Sequence, residues 1–155
     1  MNLPERFGTC TIEDLDKLES DIGFELPEDY RSFLQNNNGG KFSLFKFYAS
    51  IYIPALDQKV MLDVSYGYEL SEEHQFLDIV QINDEFKEDV PENTLIFTRD
   101  PGGNMFLLVT QAENEGVYYW DSSDFFDTSE GDANAFKVAD SFTDFLNKIE
   151  YEDLR

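Results

Sequence analysis

"TLIFTRDPGGNMFLLVT", Thr94 to Thr110, sets a proline and two glycines between two apolar runs. It is either a loop that cradles phosphate or a turn that folds a sheet. A phosphate loop joins a strand to a helix, because the helix N-terminus supplies free N–H groups and partial positive charge. Here the residues after Gly103, "NMFLLVT", have the composition of a strand. Pro101 fixes φ for the second position of a turn, and Gly102 is expected to supply positive φ at the third, as a type II turn requires. "NGGKFS" (Asn38–Ser43) imitates the end of a P-loop, but Phe42 stands where Ser or Thr would hold magnesium. Both stretches therefore read as turns.

Working outward, the strand signals continue. "FSLFKFYASIYI" (Phe42–Ile53) and "VMLDVSY" (Val60–Tyr66) are aromatic and β-branched, with Pro54 and Asp57 between them. After Thr110, "ENEG" makes a further turn into "VYYWD" (Val117–Asp121). Helices flank this sheet. Thr11 with Asp14 predicts a capped helix start, Ile12, Leu15, Leu18 and Ile22 recur at helical spacing, and Gly23 stops it. Pro27 suits the start of a second helix whose apolar stripe is Tyr30, Phe33 and Leu34, ended by "QNNNGG". "LDIVQINDEFKEDV" (Leu77–Val90) fits a surface helix with Ile79, Ile82 and Phe86 inward. "DSFTDFLNKIE" fits another, capped by Asp140 or Ser141, with Phe142, Phe145, Leu146 and Ile149 inward. The expected fold is α+β: one domain over residues 1–155, a mainly antiparallel central sheet flanked by N-terminal and C-terminal helices.

Composition narrows the function. The chain has 155 residues, 41% hydrophobic, with Phe 15 and Tyr 8, enough for a sizeable core. No apolar run approaches the roughly 20 residues of a membrane helix, and the N-terminus has no basic-then-apolar leader. Together these suggest a cytoplasmic protein that does not engage membranes. Cys10 is the sole cysteine, so no internal disulfide or cysteine-zinc cluster is possible. Charge dominates: 33 Asp and Glu against 11 Lys and Arg, a net −22 at pH 7. That field repels phosphate backbones, which argues against direct nucleic-acid binding, and draws basic proteins. Glu69–Glu92 holds nine acids against Lys87, and Asp121–Asp132 holds five with no base.

Catalytic and metal patterns do not assemble. With Gly131 placed as the sixth residue of a calcium loop, Phe126 and Thr128 fall at the first and third ligand positions, so the motif fails. His74 is the only histidine, and nothing in the sequence brings Cys10 to it as a thiol dyad. The reading is a non-enzymatic protein without metal or cofactor.

An ordered set of segments does stand out. "TIEDLDKLESDIG", "LPEDYRSFLQNNNGG" (Leu26–Gly40), "RDPGGNMFLL" (Arg99–Leu108), "GVYYWD" (Gly116–Asp121) and "VADSFTDFL" (Val138–Leu146) occur in this order. Together they resemble the SUKH superfamily, which includes a yeast cell-wall synthesis regulator and many bacterial toxin-immunity proteins, over roughly Thr11–Leu146. Where that family usually carries small residues before the turn aspartate, this chain has Phe97, Thr98 and Arg99. The resemblance implies an α+β domain that works by binding, and in bacteria typically an immunity protein that neutralises a partner toxin, often a nuclease. The partner expected here is a basic cognate toxin, met by Asp121, Asp124, Asp127, Glu130 and Asp132 with Tyr119 or Trp120 as aromatic anchor. The alternative is a cytoplasmic scaffold or regulator of the cell-wall-synthesis-regulator type.

Overall fold

Thr11 begins the first helix as its sequence predicts. Its hydroxyl accepts from the Asp14 N–H at 3.0 Å while the Asp14 carboxylate accepts from the Thr11 N–H at 2.9 Å, a reciprocal cap. A computed structural model describes residues 1–121 and 134–154. In chain order they form β1 (Glu5–Arg6), α1 (Ile12–Ile22), α2 (Glu28–Asn36), β2 (Gly40–Lys41), β3 (Phe47–Ile53), β4 (Gln58–Leu62) and β5 (Val64–Ser65). Then follow α3 (Ile79–Phe86), β6 (Thr94–Arg99), β7 (Met105–Val109), β8 (Gly116–Trp120), β9 (Ala135–Ala139), α4 (Phe142–Lys148) and β10 (Glu150–Asp153). Short 3-10 helices occupy Pro54–Leu56 and Glu72–Leu77.

The fold is α+β, with two antiparallel sheets. Seven strands run in the order β1-β2-β5-β6-β7-β8-β9, and three in the order β10-β3-β4. "VMLDVSY" is thus split at Asp63 between the sheets: Leu62 pairs with Ala49 in the small one, Ser65 with Thr98 in the large one. β6 and β7 form the hairpin that Thr94–Thr110 predicts. Its turn differs in one respect. Gly103 N–H donates to the Asp100 carbonyl at 3.1 Å, and Gly103, not Gly102, takes the left-handed conformation at φ 94°. This is a type I turn followed by a left-handed glycine, which matches the strand twist better than the expected type II turn.

Aromatic rings fill the space between α2, α4 and β6–β8. Tyr30 and Phe33 each lie 5.0 Å from Phe142, edge to face. Phe97 meets Phe145 at 5.3 Å and Phe142 at 5.6 Å, and Phe106 meets Phe145 at 5.8 Å. Phe97 reaches this cluster because the β6–β7 register skips a residue between Ile96 and Thr98. The resulting bulge turns a bulky side chain into the helices. Thr98, next along, is fully buried and its hydroxyl donates to the Val64 carbonyl.

Three asparagines serve the backbone as one-residue strands. Asn37 accepts from Leu3 N–H and donates to the Met1 carbonyl; Asn38 does the same with Tyr68 N–H and carbonyl. Asn83 on α3 accepts from Ile96 N–H at 2.7 Å and donates to the Ile96 carbonyl at 2.9 Å. β5 is too short to cover that part of β6, so the Asn83 amide completes the ladder there. Thus α3 is tied to the sheet, and its Gln81, Asp84 and Glu85 face solvent.

Candidate protein-binding face

The structure places the two expected aromatic anchors in the core. Tyr119 is 6% exposed and Trp120 1% exposed. β8 lies between β7 and β9, and helices or rings cover both of its faces, so strand alternation offers neither side chain an outward position. The Trp120 ring stands edge-on to Phe86 of α3 at 5.7 Å. Tyr119 packs on Phe106 at 5.1 Å, and its hydroxyl donates to Asp100 Oδ2 at 2.7 Å and accepts from Asn104 Nδ2 at 2.9 Å. Burial, reinforced by that Asp100 carboxylate, pushes the phenol's pKa well up, so it stays a donor. Asp100 also accepts from Asn104 N–H at 2.9 Å and is itself buried. The RDPGGN motif is therefore a lock between the β6–β7 turn and β8. As surface anchors, Tyr119 and Trp120 are corrected.

Asp121 is half-buried, and its backbone pairs with Asn134. Asp124, Asp127, Glu130 and Asp132, like the calcium-loop comparison around Gly131, lie outside the described residues. Cys10 is buried and its thiol is pushed up to about 12, mainly by burial and further by Asp14 and Glu69, away from nucleophilic use. His74 instead stacks on Phe7, ring centroids 3.9 Å apart.

The other acidic stretch forms a continuous face. Residues 69–92 run through the 3-10 turn, α3 and the approach to β6. Asp78 caps α3 by accepting from Gln81 N–H at 2.9 Å, and Glu69 and Asp84 pair with Lys17 and Lys87. Glu72, Glu85, Glu88, Asp89 and Glu92 form no ion pair among the described residues. The bases have been used elsewhere. Arg31 bridges Glu19 at 2.7 Å and Asp16 at 3.1 Å; Lys41, Lys59, Arg99, Lys137 and Lys148 each hold a carboxylate near them. What survives of the field is negative, and along α3 it is dense.

Apolar surface is mixed with this charge. Phe76, at the end of the 3-10 turn, is 69% exposed, and half-buried Leu70 and Val80 lie beside it. A usable signal for it lies in "EEHQFLDI", which holds Phe76 between a polar turn and the capped start of α3, where no helical or strand period claims the ring. An aromatic side chain among acids thus does occur, but beside α3 rather than on β8. Such a surface suits a protein partner, with apolar contacts for affinity and charge for approach.

Comparison with known proteins agrees with the architecture. The SPbeta prophage-derived uncharacterized protein YokK of Bacillus subtilis (strain 168) is 28% identical over 149 residues, spanning 88% of this chain and 72% of its own length. The family model described as SMI1 / KNR4 family (SUKH-1) matches residues 9–148, and the chain belongs to that family.

Proposed function

We propose that this chain is an immunity-type protein that binds a basic cognate toxin and blocks the toxin's working surface, with no catalysis of its own. The observation that supports this most is the pairing of charges. Lysines and arginines are engaged by neighbouring acids over most of the described surface, while on the 69–92 face Glu72, Asp78, Glu85, Glu88, Asp89 and Glu92 have no cationic partner among the described residues. Toxins that cut nucleic acid need a cationic groove to hold phosphates. A protein of net −22 can occupy such a groove as a phosphate mimic, and its field speeds the encounter. The family resemblance points the same way, and a prophage-derived relative fits a gene carried with mobile genetic cargo.

Co-expression with the toxin encoded by the adjacent gene tests this. The expected result is survival of the host and a complex whose association rate falls steeply with salt, since charges beyond about 8–10 Å are screened near 0.15 M. Failure of the wild-type protein to protect, together with no complex at low salt, would overturn the reading in favour of a cytoplasmic scaffold.

A further inference from the structure

The acidic face is not flat. Between the C-terminal end of α1 and α3 lies a groove of about 590 Å³. Its floor is Ile22, Phe24, Val80 and Val90, all half-buried and packed against the core. Its rim carries Asp21, Asp84, Glu88 and Glu92, all exposed. A second groove of about 620 Å³ continues past the start of α3, with Leu70, Phe76 and Val80 below and Glu69 and Asp78 above. The two adjoin at Val80 and Asp84, and the first is an acid-rimmed channel along the helix. Lys87, the only base lining it among the described residues, is already held by Asp84 at 3.7 Å.

We propose that this channel seats a basic amphipathic segment of the partner, its apolar side chains on the Val80 floor and its lysines or arginines along the carboxylate rim. The identity of the partner rests on the immunity reading; the chemistry of the segment rests on the channel. An apolar floor continuous with the core rewards burial of aliphatic or aromatic side chains at about 25 cal/mol per Å². The rim decides among occupants. An acidic segment, a nucleic acid, an anionic membrane or a second −22 copy of this chain would bring like charge against exposed carboxylates. A cationic amphipathic segment satisfies both floor and rim, in the manner of a helix laid into an apolar groove.

The test uses the whole protein, isotope-labelled for NMR, and two synthetic peptides of roughly four helical turns. One sets leucines at i, i+3, i+4 and i+7 spacing among lysines to make an amphipathic helix; the other replaces every leucine with serine at equal charge. The lysine–leucine peptide is expected to bind at least about ten-fold more tightly, shifting the amides of Ile22, Phe24, Val80 and Val90. Asp84→Lys with Glu88→Lys should remove about ten-fold of that affinity. The same charge change made at Glu113 and Glu115, exposed in the turn before β8, should leave it within about two-fold. Equal binding of the two peptides, shifts confined to other residues, or equal loss from both double variants would overturn the proposal. Both pairs are exposed, so a thermal melt confirms that the variants fold. If the wild-type protein fails to protect against the toxin yet the peptide seats along α3, the channel stands and the immunity reading falls. Protection undiminished by Asp84→Lys with Glu88→Lys, with the peptide mapping elsewhere, removes the channel and keeps the immunity reading.

Discussion

Between α2, α4 and β6–β8 the molecule is aromatic and closed; along α3 it is acidic and open. In the first region seven rings from five elements contact one another, and the carboxylate there, Asp100, is spent on a tyrosine and a turn. In the second, apolar side chains stop half-buried, and Glu72, Glu85, Glu88, Asp89 and Glu92 around them form no ion pair among the described residues. Packing fills the closed region, and its carboxylate is used within the fold. The open region contributes little to the fold, and so its charges are available for another molecule. In a chain of this composition, stability and recognition occupy different surfaces.

Substitutions can break this division or sharpen it. The largest effect should come from Phe145→Ala, which empties a fully buried site among Phe97, Phe106 and Phe142; about 3–5 kcal/mol of stability should be lost. An unmoved urea midpoint would show that the aromatic seam is not the core. Asn83→Ala tests the join between the regions, because it strips the Ile96 N–H and carbonyl of their partner; a loss of about 1–3 kcal/mol is expected from the same measurement. Gly103→Ala should cost about 1 kcal/mol, since Ala must adopt φ near 94°, whereas Gly102→Ala should be tolerated, its new Cβ sitting 3.5 Å from Asp100 Oδ1. Equal melts for the two glycine variants would contradict the turn described above. The smallest stability effect, within about 0.5 kcal/mol, belongs to Glu85→Gln with Glu88→Gln on the open face. The same pair should slow association with a basic partner, read in stopped-flow at low salt, and a stability loss as large as that of Asn83→Ala would mean the face is structural after all.

The parts of the fold legible in the sequence are those set by local chemistry. Thr11 and Asp14, Gly23, and Ser141 declare helix ends through caps that need no tertiary context. Phe142 and Phe145 declare an inner face by spacing alone. What stayed hidden depends on partners remote in sequence. Nothing local to "VMLDVSY" tells that Asp63 divides two sheets. "EYED" gives a short polar edge strand without an apolar alternation to find it by. Gly102 and Gly103 are chemically equal, and only the register of the flanking strands selects which turns left-handed. Tyr119 and Trp120 show the same limit at the site: alternation predicts that one faces outward, but β8 is covered on both sides. The asparagines of "QNNNGG" read as turn formers, yet Asn37 and Asn38 are worth more to the fold as side-chain hydrogen-bond pairs.

The Asn83–Ile96 pairing has a consequence for motion. A ladder amide is released only when a neighbouring strand departs, but the Ile96 amide proton is held by a side chain on a surface helix. Its exchange with deuterium is therefore gated by the lifting of α3, a smaller opening than global unfolding. Ile96 is a built-in clock for that helix: a molecule that clamps α3 in place should slow this one proton while leaving the interior of the β7–β8 ladder at its own rate.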